Sequence, residues 1–491
     1  MRYIAAIDQS TTGTKAMLFN ELAQPVYRTD MTHQQYYPQP GWVEQDGAEI
    51  FDQTCQVLAK CLEQVDAGDV LALAITVQTG AFLVWDKETG EPIYHIIGWQ
   101  CNRGDEICSR LTPQQAAMVK EKSGTDPSSY LPAAKLQWML ENIEGLREKA
   151  ERGQALFGTI ETWLVWKLSG GKVHASDYCN ASITQLFDVK GLCWDKDLLE
   201  LFTVPQAMLP ELKNADADYG TIDVPGLPPL PMTGVIGDSA AALFGQRCFS
   251  VGDVKVTYGT GSSILMNLGD NPIPPAPGTT TSIGWRMGKD EVTYVWEGTA
   301  SHTGAVVAWL AKDLGLIPNA KASEEIARTV PDCGGVYLVP AFTGLGAPYY
   351  DDKVDACILG IRSGTKKGHI VRAALDCIAY QVKDLAESMA QTSGSPINHI
   401  LVDGGITHNE LVMQFQTDLL QTPISRSDVE ESSELGVVLM AGLAIGLYPD
   451  KDYLRTLPLG HDTFEPKMSR EEAEKWYEGW KRAIRQARYQ G

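Results

Sequence analysis

The sequence predicts an α/β chain built from two related domains, and three observations carry that expectation. Apolar strand-like runs alternate with amphipathic segments at helical spacing along the chain. Its 491 residues exceed what one hydrophobic core usually supports. Two hairpin patterns of one kind stand nearly half a chain apart, which reads as a duplication.

The first hairpin is "YIAAIDQSTTGTKAMLFN" (3–20), two strand-like runs joined by small hydroxylated residues and Gly13. The second, "VGDVKVTYGTGSSILMNLGD" (251–270), repeats the design. Both tips lack bulky side chains, so backbone N–H groups there are open to close approach by a ligand. Helix patterns follow near 47–65 and 133–150, with strand patterns at 70–78 and 81–86. The second half predicts helices over 303–314, 366–393 and 409–421 and a strand over 399–405. "VPGLPPLPM" (224–232) reads as a surface connection before the strand "TGVIGD". The domain boundary is placed close to residue 246, giving domains over 1–246 and 247–491.

Charge and composition exclude several classes of function. A formal charge of −21 opposes a nucleic-acid surface, which normally carries a basic excess. An anionic ligand would need local backbone donors or a metal. No apolar run approaches a membrane span, and "MRYIAAIDQS" begins as a strand with an acid at position 8 rather than as a signal peptide. A cytoplasmic protein without membrane or nucleic-acid partners is expected. The ten cysteines form no C-x-x-C pair and no zinc spacing, and read as buried small hydrophobes. The eight histidines likewise lack metal-site spacing.

Residues 237–245, "GDSAAALFG", place a lone aspartate at the start of a helix pattern rich in small residues. Asp238 is either a helix N-cap or a working carboxylate. "VDGGITHNELVMQF" (402–415) follows a strand with two glycines, a tight turn or the carboxyl-end position where open α/β sheets accept nucleotides.

These segments resemble the FGGY carbohydrate kinases, and within that family the glycerol kinases. "YLPAAKLQWMLEN" (130–142) is similar to the family's first signature and "ACILGIRSGTKKGHIVRAALD" (356–376) to its second. "GWVEQD" (41–46), "FGTIETWLVWKLSGG" (157–171), "VHASDYCNAS" (173–182), "GDSAAALFGQ" (237–246), "TYGTGSSILMN" (257–267), "VPAFTGLGAPYYD" (339–351) and "VDGGITHNELVMQFQTDLL" (402–420) match in the same order. The resemblance implies two actin-like, ribonuclease H-like ATPase domains, each on a mixed five-stranded sheet, closing over a deep cleft. It implies ATP and Mg²⁺, a small polyol or sugar substrate, and leaves open a homodimer or homotetramer.

Carried over residue by residue, the resemblance makes Asp238 the base that accepts the acceptor-hydroxyl proton, and Asp8 with Asp238 the Mg²⁺ carboxylates, directly or through water. Thr11, Thr12, Thr14, Thr260 and Gly261 would donate to the β- and γ-phosphates, with Lys15 as a point charge. Turn chemistry alone also accounts for Thr and Gly at tips. Gly404, Gly405 and Asn409 would hold adenosine, though Asn409 equally suits a helix N-cap. Gln78, Thr79, Gly80, Trp99, Tyr130, Ser239 and Ser263 fall at the acceptor.

Four of those acceptor positions depart from glycerol kinases. Thr79 and Gly80 replace an arginine and a glutamate, Ser239 a glutamine and Ser263 a phenylalanine. Ser10 stands where the family usually has glycine. Trp99 and Tyr130 are kept, although a Trp or Tyr is often simply core. The expected activity is transfer of the γ-phosphoryl of ATP to a terminal hydroxyl of a polyol or ketose of four or five carbons. Glycerol kinase with a rearranged pocket, a degenerate kinase, and a non-catalytic actin-like nucleotide sensor are the alternatives. Asp238 argues against the sensor, which has no use for an acceptor base.

Overall fold

The computed structural model describes residues 1–289, 291–429 and 431–489. The first hairpin pairs Tyr3–Gln9 with Gly13–Asn20 at the centre of a mixed five-stranded sheet. Val70–Val77 and Met232–Gly237 extend it in parallel on one side, and Pro25–Thr32 runs antiparallel on the other. Near-continuous apolar runs such as "VLALAITV" suit strands buried on both faces. The helix Gly47–Leu62 covers one face, its start fixed by Asp46, whose side chain accepts from the N–H groups of Ala48 and Glu49.

The second sheet has seven strands rather than the five that the resemblance implies. Asp253–Tyr258 and Ser262–Gly269 form the expected hairpin, and His399–Gly404 joins it in parallel. A long antiparallel pair, Thr279–Met287 with Glu291–Ala300, widens one side, while Ile424–Ser427 and His461–Phe464 complete the other. The Lys367–Ser393 helix is buried in the core beside this sheet and ends at Gly394, φ +67°. The 81–86 strand belongs to neither main sheet. It joins a smaller five-stranded sheet with Ala155–Thr159 and Ile96–Ile97, which carries the lobe containing Trp99 and Tyr130.

The helix patterns near 133–150 are two helices, Pro132–Asn142 and Leu146–Glu151, parted at Gly145, φ +72°. Two further expectations need correction. The proline-rich connection is not wholly on the surface, since Leu230 enters the first core. Only six cysteines are buried, while Cys55, Cys108 and Cys357 are half-buried and Cys193 is exposed; all ten are free thiols.

No sequence pattern assigns 432–444, yet the helix there joins the two halves. Ser432–Ala444 is apolar on nearly every side and lies against the first sheet and the Asp238–Gly245 helix. The approach is so close that a Cβ on Gly436 would stand 1.8 Å from the Ala241 carbonyl oxygen, and one on Gly245 would stand 2.2 Å from that of Ser432. Gly436→Val therefore has to push the two helices apart. Overpacking of this kind typically costs about 1–3 kcal/mol, and a lowered urea midpoint for this variant is the expected result.

Candidate active site

The carboxyl ends of three parallel strands align at one edge of the first sheet. Gln9 pairs with Val77, and Val77 with Gly237. Ser10, Gln78 and Asp238 therefore leave the sheet side by side, where α/β folds place ligands.

Asp238 does not cap its helix. Gly237 occupies the cap position, and Asp238 opens the first turn with its Oδ1 accepting from the N–H of Ser239 at 2.7 Å. An acid there is favoured by the helix dipole. The backbone is clamped on both sides: a Cβ on Gly237 would meet Thr79 Cγ2 at 2.4 Å, and Ser433 Oγ donates to the Asp238 carbonyl at 3.0 Å. Burial lifts the Asp238 pKa to about 6. The Ser239 N–H opposes that rise, the charge of Glu297 adds to it, and Lys255 pulls it down.

The first hairpin tip is closed by Ser10, whose N–H and Oγ both donate to the Gly13 carbonyl, at 2.9 and 3.0 Å. Gly13 is required because a Cβ there would stand 2.6 Å from the Met31 carbonyl oxygen. The Thr11 carbonyl accepts from Gln35, Gln45 and His33, so the tip is held before any ligand arrives.

Three residues expected to face ligands are placed differently. Thr14 is buried within its strand, and its hydroxyl has no partner among the described residues. Gln78 is buried as well, with Nε2 donating to Gln9 Oε1 and Gln45 Oε1 at 3.1 and 3.0 Å, so its amide nitrogen braces the strand ends. Lys15 is not a free point charge: its Nζ lies 2.8 Å from Asp8 Oδ2 and 2.8 Å from Glu434 Oε1. Burial alone would lower its pKa, but the two carboxylates outweigh that and hold the ammonium above its ordinary value.

Trp99 and Tyr130 are 37% and 58% exposed, which excludes a core role. Their ring centroids are 6.3 Å apart, and Trp99 Nε1 donates to Thr11 Oγ1 at 3.2 Å, tying the pair to the first tip. Gly80 lies beside them at φ +77°, a conformation that favours glycine; a Cβ there would be 3.3 Å from Trp99 Cβ and 3.5 Å from the Tyr130 carbonyl oxygen.

Beneath both aromatics sits Lys135, fully buried. Its Nζ donates to the carbonyls of Gly98 (2.9 Å), Trp99 (3.2 Å) and Tyr130 (3.1 Å). Burial pulls its pKa down to about 7. Sequence reasoning missed this residue, although it sits inside the "YLPAAKLQWMLEN" segment.

The second tip is buttressed by the start of the Gly304–Lys312 helix. The N–H groups of Thr303 and Ala305 donate to the Thr260 carbonyl, and that of Gly304 to the Gly259 carbonyl. A Cβ on Gly261 would meet the Ala300 carbonyl oxygen at 2.9 Å. Gly404 pairs with Tyr258 just before this tip, at φ +92°, and a Cβ there would stand 2.3 Å from the Tyr258 carbonyl oxygen. Gly405 faces open space. Asn409 caps the Glu410–Leu420 helix, with Oδ1 accepting from Val412 N–H at 3.1 Å. Thus Gly404, Thr260 and Gly261 share one sheet edge, while Asp8, Asp238, Thr79, Gly80, Trp99 and Tyr130 gather at the other. Ser263 lies on the strand that leaves the second tip, and its Oγ donates to Glu297 Oε1 at 2.9 Å.

Comparison with known proteins agrees with this architecture. The models for the FGGY family of carbohydrate kinases match residues 3–245 (N-terminal domain) and 254–445 (C-terminal domain). Glycerol kinase 1 of Thermotoga maritima is 44% identical over 98% of this chain and 99% of its own. The glycerol kinase of Caldanaerobacter subterraneus is 43% identical over 99% and 98%. The crystal structure of Plasmodium falciparum glycerol kinase with ADP superposes with a TM-score of 0.96 at 31% identity, covering 100% of this chain and 99% of that one. Ligand-bound xylulose kinase from Lactobacillus acidophilus, 20% identical, shares the fold with a TM-score of 0.87 over 99% and 98%. The chain belongs to the FGGY family of carbohydrate kinases. It is an ATP-dependent phosphotransferase with a hydroxyl acceptor, glycerol kinase-like in sequence, on the two-domain actin-like fold. Among the described residues, no helix is long and apolar enough to cross a membrane, and no group of three or more His, Cys, Asp or Glu is arranged to hold a metal ion.

Lys135→Met removes the donor shared by the Trp99 and Tyr130 loops. With each hydrogen bond contributing about 0.5–1.5 kcal/mol, acceptor KM is expected to rise about tenfold or more, with a smaller change in the KM for ATP. Steady-state kinetics with each substrate varied in turn checks this.

Proposed function

We propose that this kinase phosphorylates a terminal hydroxyl of a polyol or ketose of four or five carbons, with Asp238 as the base. The observation that carries the acceptor size is that Thr79, Gly80, Ser239 and Ser263 are all short, with Gly80 beside the exposed Trp99 and Tyr130. Glycerol, held in glycerol kinases by longer side chains at these positions, would lose orienting partners here. Poor orientation lowers turnover because the hydroxyl rarely reaches in-line geometry. Glycerol itself is the competing acceptor, favoured by the 43–44% identical relatives that carry that name.

In this reading Thr11, Thr12, Thr260 and Gly261 receive the phosphates of ATP on two pre-closed tips. Gly404 and Gly405 leave backbone for adenosine to lie against, and Asn409 orders the adjoining helix. The ADP held by the Plasmodium falciparum glycerol kinase supports the nucleotide assignment. Asp8 and Glu434 share the Lys15 ammonium, burial raises the pKa of Asp8, and the charge of Asp238 adds to that rise. Carboxylate oxygens suit a hard cation, so Asp8 and Asp238 would hold Mg²⁺ with the phosphates completing its ligands. When bound, the ion would neutralise phosphate charge during transfer.

Asp238 then accepts the acceptor-hydroxyl proton, its carboxylate steered by Ser239 N–H and its backbone by Ser433. A pKa near 6 strengthens it as a base relative to a free aspartate while leaving it ionised at neutral pH. Below about pH 6 the group is protonated and cannot accept, so kcat/KM should fall on the acid side with a midpoint near that value. Asp238→Asn should lower kcat by about 10²–10⁴-fold while ADP binding by calorimetry stays nearly unchanged. Near-wild-type turnover would remove Asp238 from the role.

A coupled ADP-release assay over glycerol, tetritols, pentitols, tetruloses and pentuloses tests the acceptor. Some four- or five-carbon compound should exceed glycerol in kcat/KM by at least about tenfold, or about 1.4 kcal/mol of transition-state binding. Glycerol as the best acceptor would overturn the size argument.

A further inference from the structure

Register in the second sheet places Ser263 and Glu297 on one face. Leu265 pairs directly with Glu297 and Ser263 with Thr299, so these four side chains share a face, Ser263 being the diagonal neighbour of Glu297. Lys255 pairs with Leu265 from the other side and belongs to the same row. That face is turned toward the first half, because Leu265 packs in the cluster containing Ala240, Ala241 and Phe244 of the helix that Asp238 opens. Glu297 is half-buried, and the Ser263 hydroxyl engages its Oε1 at 2.9 Å. Among the described residues no hydrogen-bond donor is assigned to its Oε2.

We propose that Glu297, oriented by Ser263, is an acceptor-binding residue that accepts hydrogen bonds from acceptor hydroxyls, so that specificity is read from the second half of the molecule as well as the first. The inference rests on the acceptor site proposed above. At position 263 a serine is short enough to leave the carboxylate accessible, whereas a large ring on the same face would reach across its diagonal neighbour and cover it. A carboxylate accepts from two hydroxyls at once, which suits a polyol or sugar with adjacent hydroxyl groups. On the opposite side of the site, Thr79 and Gly80 supply no carboxylate.

The test uses the full chain and whichever acceptor the wild-type protein turns over best. Glu297→Gln, which keeps size and removes charge, should raise KM for that acceptor at least tenfold with KM for ATP changed less than twofold. Ser263→Phe should shift the acceptor preference toward glycerol by at least tenfold, and Ser263→Ala, which frees the carboxylate without covering it, should raise acceptor KM by only a few fold. ADP affinity of each variant reports folding of the nucleotide side. Unchanged acceptor KM in Glu297→Gln, or equal rises in both KM values, overturns the role of Glu297. The wild-type acceptor ranking separately tests acceptor size, so either idea fails without the other.

Discussion

Backbone-to-backbone contact between Gly436 and Ala241 sets the distance between the two halves beside Asp238. With no side chain at 436, the Ser432–Ala444 helix settles directly onto the helix that begins at Asp238. Two further contacts follow from that seat. Ser433 reaches the Asp238 carbonyl, and Glu434 reaches Lys15 on the first hairpin. One close approach thus steadies the backbone of Asp238 and balances a buried cation, which a looser interface could not do at 2.8–3.0 Å.

Charge at this junction is arranged around an excess of carboxylates. Asp8 and Glu434 share Lys15, while Asp238 lies within the influence of Asp8, Glu297 and Lys255. Burial makes each negative charge costly, so the arrangement gains from cations and from hydroxyl donors. In the function proposed above, local N–H groups at two tips of small residues and a cation held by carboxylates let a chain with a formal charge of −21 serve a phosphate chemistry without a basic surface.

The Trp99 and Tyr130 loops rely on a different device. Lys135 directs three donors to the carbonyls of Gly98, Trp99 and Tyr130, so two loops that are distant in sequence present their rings together. Exposed aromatics need such support, because packing holds them only in part. The lysine is buried beneath these loops, while the aromatics are exposed, as the proposed acceptor role requires.

Sequence alone determined the α/β class, the duplicated hairpins, the Asp238 position and the helices over 366–393 and 409–421, because strand runs, turn residues and helical spacing are local signals. It placed Thr14, Gln78 and Lys15 facing ligand, whereas strand register buries the first two and Glu434, 419 residues beyond Lys15, pairs the third. The 432–444 helix lacked an amphipathic pattern because it is enclosed on nearly all sides, and enclosure is a property of neighbours. Lys135 and Glu297 were invisible for the same reason: a lysine or glutamate in a string of letters does not show which carbonyl or hydroxyl it meets. Those meetings depend on strands and loops brought together from far along the chain, and only the tertiary structure decided them.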